Sequence, residues 1–178
     1  MGRLFSLSWL KRIITLWSLR SNGEKHDPEK ALRKKIIEHL KDREGVRYVV
    51  YLDTLGYPTG GVGHLITSAD KLSVGDPISP EQVDAWLEKD MEKALAGARK
   101  NAKEIGIETD DFIIALTSVN FQLGTGWPTK FYKTYPNLVK GQWRKAIVGL
   151  RGSRWAKQTP VRVEDFVKAI EKAFTKNK

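Results

Sequence analysis

Residues 43–64 read REGVRYVVYLDTLGYPTGGVGH. Two carboxylates, Glu44 and Asp53, flank a run of β-branched and aromatic residues, and Thr59 follows on a glycine-rich stretch. The period changes here. Upstream, Leu32, Ile36, Ile37 and Leu40 recur at helical spacing behind Asp27-Pro28, which reads as N-cap and first helical residue. The spacing predicts a helix from Pro28 to about Arg43, ended by Gly45. Val46 to Asp53 reads as a strand, Asp53 to Pro58 as a turn, and Thr59 to Thr67 as the rest of a hairpin or small meander.

Downstream the pattern is helical. Ser79-Pro80-Glu81-Gln82 is a capping box with proline at the first helical position. Val83, Trp86, Leu87, Met91, Ala94, Leu95 and Ala98 form a long amphipathic face behind it. Thr109 or Asp110 opens a helix, FIIALTSVNFQL, apolar almost all round and therefore the expected buried centre, with Gly124 closing it. Short helices follow, one of them around Gln142 to Leu150, and Thr159-Pro160 caps a last helix ending near Phe174.

Composition bounds the rest. A chain of 178 residues with 40% hydrophobic content can bury a core. There is no cysteine, which excludes disulfides, thiolate metal sites and a cysteine nucleophile. The net charge is +10. Residues 1–22 hold Arg3, Lys11, Arg12 and Arg20 and no acid, so +6 remains on the body. Such a surface attracts anionic polymers or lipid. Lysines and arginines are scattered, GGVG opens no helix, and no nucleic-acid motif is found, so nucleic acid is not an expected partner.

Residues 1–26 are expected to be a basic amphipathic segment and linker, and 27–178 the main domain. Residues 4–19, LFSLSWLKRIITLWSL, are too short to span a bilayer and carry Lys11 and Arg12 at their centre. No clear cleavable signal peptide is found. As a helix this stretch is either a surface element touching anionic membrane or wall polymer through residues 4–20, or an extra helix packed on the body or on a second copy.

Glu44 falls on the face of Ile36 and Leu40, so its carboxyl emerges from a buried stripe, where desolvation favours the proton-carrying form. Asp53 sits at a turn, where backbone N–H groups and water favour the ionised form. Such a pair suits acid–base chemistry on a glycoside. Spacing alone also fits a surface salt bridge and an ordinary turn aspartate. Glycines 60, 61 and 63 fit either an uncovered strand beneath a bulky substrate or bulge and packing positions.

The pattern E-G-x(8)-T-x-G-Y-x-T-x-G-x-G-H from Glu44 to His64, with Asp53 before the first threonine, closely resembles the opening motif of phage-type lysozymes, the endolysin muramidases. Phe121-Gln122-Leu123-Gly124, Ser153-Arg154-Trp155 and Gln158-Thr159-Pro160 agree in order, over about residues 33 to 175. The resemblance implies an α+β, two-lobed lysozyme-like fold, a small antiparallel sheet lobe and a mostly helical lobe joined by a long helix. It implies cleavage of the β-1,4 bond from N-acetylmuramic acid to N-acetylglucosamine in peptidoglycan, with no cofactor and no metal. It also implies a monomer made in the host cytoplasm and released to the wall at lysis.

By that resemblance Glu44 matches the general acid, Asp53 the second carboxylate and Thr59 the hydroxyl holding the attacking water. Arg162 matches an arginine that pairs with the acid, an influence opposite to desolvation. Leu65, Phe121 and Thr134 match positions lining the sugar cleft. Read without the family, Phe121 is a core aromatic. Gln122 suits N-acetyl groups or local backbone, and Gly149 stands where the family has a cleft asparagine. His64 matches a structural histidine expected to meet Asp90, and with only His26 and His39 besides it gives no metal set. The competing classes are a non-catalytic wall-binding module and a membrane-active protein working through its N-terminal helix.

Overall fold

In a computed structural model, residues 27–176 are described. The readings of residues 1–26 lie outside them.

Helix α1 spans Pro28–Glu44. Asp27 Oδ1 accepts the Glu29 N–H at 2.9 Å, as an N-cap does. Leu32, Ile36 and Leu40 are its buried residues, and Gly45 follows with φ +77°.

Strands β1 (Arg47–Leu52), β2 (Pro58–Gly61) and β3 (His64–Leu65) form one antiparallel meander in the order β1-β2-β3. It is smaller than the sequence suggests, because Gly61 and Gly63 both take positive φ and turn the chain out of β2 at once. The β1–β2 register pairs Tyr51 with Thr59 and Leu52 with Pro58, then shifts before Arg47 meets Gly61. Across that irregularity β1 bonds along its other edge. Val50 N–H donates to Asp76 O, and Gly75 and Ile78 N–H donate to Val50 O and Tyr48 O, each at 2.9 Å. The edge is thereby covered.

Helix α2 (Pro80–Ile105) connects sheet and helices. The Ser79 hydroxyl accepts the Gln82 N–H at 3.1 Å, the first half of the expected capping box. Gly106 ends the helix in the left-handed region, and Ile107 N–H donates back to Ala102 O at 3.0 Å. Near its start, Val83 and Trp86 pack on Gly61. Near its end, Asn101 accepts the Trp127 indole N–H at 3.2 Å and donates to the Tyr135 hydroxyl at 3.1 Å.

Helix α3 (Asp110–Leu123) is the expected buried centre, with Phe112, Ile113 and every residue from Ala115 to Asn120 buried. Short helices α4 (Trp127–Lys130), α5 (Tyr135–Val139), α6 (Trp143–Arg151) and α7 (Arg154–Gln158) wrap it, and α8 (Pro160–Lys176) closes the helical part. Phe112, Trp127 and Phe166 meet at its heart, with ring centroids 5.8 and 5.9 Å from Phe166. No helix of the described residues is long and apolar enough to cross a membrane. The fold is α+β, as the resemblance implies: a small antiparallel sheet beside a mostly helical body, joined by a long helix.

Candidate active site

Glu44 is the last residue of α1, its side chain a quarter exposed. Arg162, two residues into α8 and almost fully buried, reaches back to it: Nη2 lies 2.5 Å from Glu44 Oε2 and donates to the Arg43 carbonyl at 3.1 Å. The Arg43 side chain pairs in turn with Asp165 through both arms of its guanidinium, the second at 3.1 Å. Arg162 and Asp165 are three apart on α8 and so share a face. They clip the end of α1 at three points: the Glu44 carboxylate, the Arg43 carbonyl and the Arg43 side chain.

Asp53 organises the β1–β2 turn. Its Oδ1 accepts the Leu55 and Tyr57 N–H groups, both at 2.8 Å, and its own N–H donates to Tyr57 O at 2.9 Å. Its Oδ2 has no hydrogen-bond partner among the described residues. One oxygen therefore holds the turn, and the other is open to a further hydrogen bond. Thr59 is buried in β2, its hydroxyl donating to Tyr57 O at 3.0 Å and keeping its lone pairs. Register puts Tyr51, Thr59 and Leu65 in one cross-strand row, so their side chains share a face of the sheet. Leu65 is half exposed at the end of that row.

Glycines 60 and 61 resolve toward packing, whereas Gly63 takes positive φ with nothing within 4 Å of its Cβ position. A Cβ at Gly60 would stand 2.3 Å from Ile78 Cδ1, and one at Gly61 would touch Val83 and Trp86. Gly60 pairs with His64 across β2 and β3. The His64 ring stacks on Trp86, centroids 4.4 Å apart and planes 12° apart. Its Nδ1 lies 2.7 Å from Asp90 Oδ2 on α2, and its Nε2 lies 3.7 Å from Asp70 Oδ1. Asp70 is itself anchored: Oδ2 accepts the Thr67 N–H at 2.8 Å and hydroxyl at 2.7 Å, which hold its carboxyl below the ordinary range. The stack on Trp86 and the second acid, Asp70, were not foreseen. Asp70's place in a turn next to a histidine strand was the available signal.

Phe121 is partly buried and packs against the core. Both ends of the Gln122 amide are occupied: Oε1 accepts the Trp155 indole N–H at 2.8 Å, and Nε2 donates to the Thr159 hydroxyl at 3.2 Å. Its partners within the protein are two side chains, where the sequence reading named local backbone. Thr134 is buried, and a Cβ on Gly149 would lie 2.5 Å from its Oγ1. The Arg43–Asp165 clip was also missed in the sequence. The spacing Arg162-x-x-Asp165 carried it, but nothing local says that α8 meets α1. No group of three or more histidine, aspartate or glutamate side chains able to hold a metal occurs among the described residues.

A small meander, an acid at a helix end and a second acid in the first sheet turn make this a lysozyme-like α+β protein. A family model described as phage lysozyme matches residues 41–169. The peptidoglycan hydrolase gp36 of Pseudomonas phage phiKMV is 32% identical over 138 residues, 77% of this chain and 15% of that protein. The pre-baseplate central spike protein Gp5 of Enterobacteria phage T4 is 30% identical over 145 residues, 70% of this chain and 25% of that one. Probable T4-type lysozyme 2 of Dictyostelium discoideum is 28% identical over 154 residues, 74% of this chain and 91% of its own length. The chain belongs to the phage lysozyme family. It spans a quarter or less of the two long phage relatives and most of the Dictyostelium protein.

Proposed function

We propose that the chain is a glycoside hydrolase of bacterial peptidoglycan, cleaving the β-1,4 bond from N-acetylmuramic acid to N-acetylglucosamine. Glu44 donates a proton to the leaving oxygen. Asp53 Oδ2 and the Thr59 hydroxyl hold the attacking water, and Asp53 Oδ2 takes up its proton. The observation that carries this reading is the asymmetry of the two acids: Glu44 is gripped by one guanidinium at a helix end, while Asp53 commits one oxygen to backbone N–H groups and keeps the other open. A water held between acid and sugar fits inversion at the anomeric carbon.

In this reading Leu65, Phe121 and Thr134 line the glycan cleft, and Gln122 supports it by fixing Trp155 and Thr159. Arg162 positions Glu44, and His64 with Asp90 ties the meander to α2. The enzyme acts as a monomer, is made in the host bacterial cytoplasm and meets the wall at lysis.

The test is reducing-end release from purified peptidoglycan by the full chain and by Glu44→Gln. Release by the first and its loss in the second supports the reading. Retention of peptidoglycan without release by either would make the chain a wall-binding module instead.

A further inference from the structure

The lysines and arginines are spread along the chain, but the acids are not. Between Phe112 and Val163 lie nine lysines and arginines and no aspartate or glutamate. The whole chain is net +10 and residues 1–22 hold four of those charges, so everything else outside 112–163 is net −3. The positive excess of the body therefore belongs to the stretch from α4 to the start of α8. Distant acids neutralise part of it: Arg162 pairs with Glu44, and Arg151 with Glu164. Lys130 is spent on Leu123 O at 3.1 Å. The side chains of Lys140, Arg144 and Lys145 are exposed and have no hydrogen-bond or ion-pair partner among the described residues. The basic concavity around His39 differs: Arg43 and Lys172 there are spent on Asp165 and Asp111.

The three free cations belong to one corner of the fold. Lys140 caps the end of α5, and Arg144 and Lys145 lie in the first turn of α6. Between them Gln142 N–H donates to Asn137 O at 2.8 Å, which folds the corner tightly. On α6, Ala146 and Leu150 are buried, whereas Arg144, Lys145, Val148 and Arg151 face water. Val148 follows Arg144 by four residues and Lys145 by three, so the three share the outer face of the helix. It is 72% exposed, an apolar side chain ringed by cations.

Unpaired cations attract any polyanion. The apolar centre narrows the choice. A soluble phosphate polymer would cover the cations and leave Val148 in water. A lipid surface offers headgroup phosphates to the cations and, just beneath them, carbon for the valine. Lysine and arginine stems can lie along such a side chain while their heads reach the phosphates. We infer that the outer face of α6 and the α5–α6 corner form a docking surface for anionic phospholipid headgroups, with Lys140, Arg144 and Lys145 on the phosphates and Val148 in the layer below. This surface is separate from the two acids, and the inference does not depend on the glycosidase reading.

The chain has no cysteine, so a single introduced one can be labelled alone. Val148→Cys in the full chain, carrying an environment-sensitive fluorophore, is titrated with vesicles of phosphatidylglycerol and phosphatidylcholine in equal parts. Glu81→Cys, exposed on α2, is the second labelling site. The expected result is a blue shift at 148 and none at 81, lost with phosphatidylcholine alone. Adding Arg144→Gln and Lys145→Gln should raise the lipid concentration for half of the shift about tenfold or more. Both side chains are exposed and unpartnered, so folding is preserved, and a thermal melt checks it. Because the readout belongs to one position, vesicle binding through residues 1–22 alone would leave the 148 probe in water and overturn the inference. So would equal shifts at 148 and 81, or a titration that the two substitutions leave unchanged. A response of the 148 probe to inorganic polyphosphate but not to vesicles would make the patch a site for soluble polyanions and likewise overturn the lipid assignment.

Discussion

Arg162 Nη2 lies 2.5 Å from Glu44 Oε2 and 3.1 Å from the Arg43 carbonyl, so one buried guanidinium holds both the last side chain and the last turn of α1. A buried cation with two oxygen partners is costly to disturb, because removing it strands both.

Arg162→Ala should therefore destabilise the fold by roughly 2–4 kcal/mol, measured by denaturant unfolding. It should also lower activity through loss of Glu44 positioning. Glu44→Gln is the contrasting change. Its amide oxygen still accepts from Arg162, so stability should stay within about 1 kcal/mol of wild type while reducing-end release falls about 10²-fold or more. An active Glu44→Gln enzyme would remove this residue from the mechanism.

The divided duties of Asp53 separate two substitutions. Asp53→Asn keeps an acceptor for the Leu55 and Tyr57 N–H groups, so the melting curve should barely move while activity drops by about 10²-fold or more. Asp53→Ala frees both donors and should cost about 1–2 kcal/mol as well. Equal stability losses in the two variants would show that the turn does not depend on Oδ1.

Gly149 and Thr134 should be coupled. In a helix, alanine is favoured over glycine by about 0.5–1 kcal/mol, but a Cβ at 149 runs into Thr134 Oγ1. Gly149→Ala alone should be destabilising by about 1–2 kcal/mol. In a Thr134→Ala background the same change should become neutral or stabilising. A double-mutant cycle reads the difference. Additive effects would mean that the threonine simply moves aside.

His39, on α1 behind the clip, is held below its ordinary value of 6.5 chiefly by burial; Asp165 and Asp42 act against that, and Arg43 and Arg162 reinforce it. Lys35, Lys168 and Lys172 line the same concavity. Because the unfolded chain binds the proton first, the stability linked to neutral His39 is complete above pH ~6.5 and is lost as pH falls through the folded-state value. Chemical denaturation between pH ~7.5 and ~5 should show a smaller loss in His39→Gln than in wild type. Parallel pH profiles for the two would exclude this group as the cause.

Much of the architecture was legible because it is set locally. Asp27-Pro28, Ser79-Pro80 and Thr159-Pro160 punctuate the chain where three long helices begin. The run from Phe112 to Leu123 announces a buried helix by lacking a polar face. The order of motifs from Glu44 to Pro160 carried the family, and with it Arg162 opposite Glu44 and Asp90 opposite His64, contacts that local spacing could not have supplied.

What the tertiary structure alone decided concerns groups whose partners lie far along the chain. Nothing around Gln122 says that its amide is consumed by Trp155 and Thr159, and nothing around Asp165 says that it grips Arg43 across 122 positions. Glycines 60 and 61 proved to be sites of close packing only once Ile78, Val83 and Trp86 were brought against them. The sequence by itself determined the helices, the meander and the two acids, since periodicity and turn chemistry act over a few residues. Which oxygen of Asp53 stays open, and which cations stay unpaired on α6, depended on packing between distant segments, because hydrogen bonds and ion pairs are satisfied in space and not along the chain.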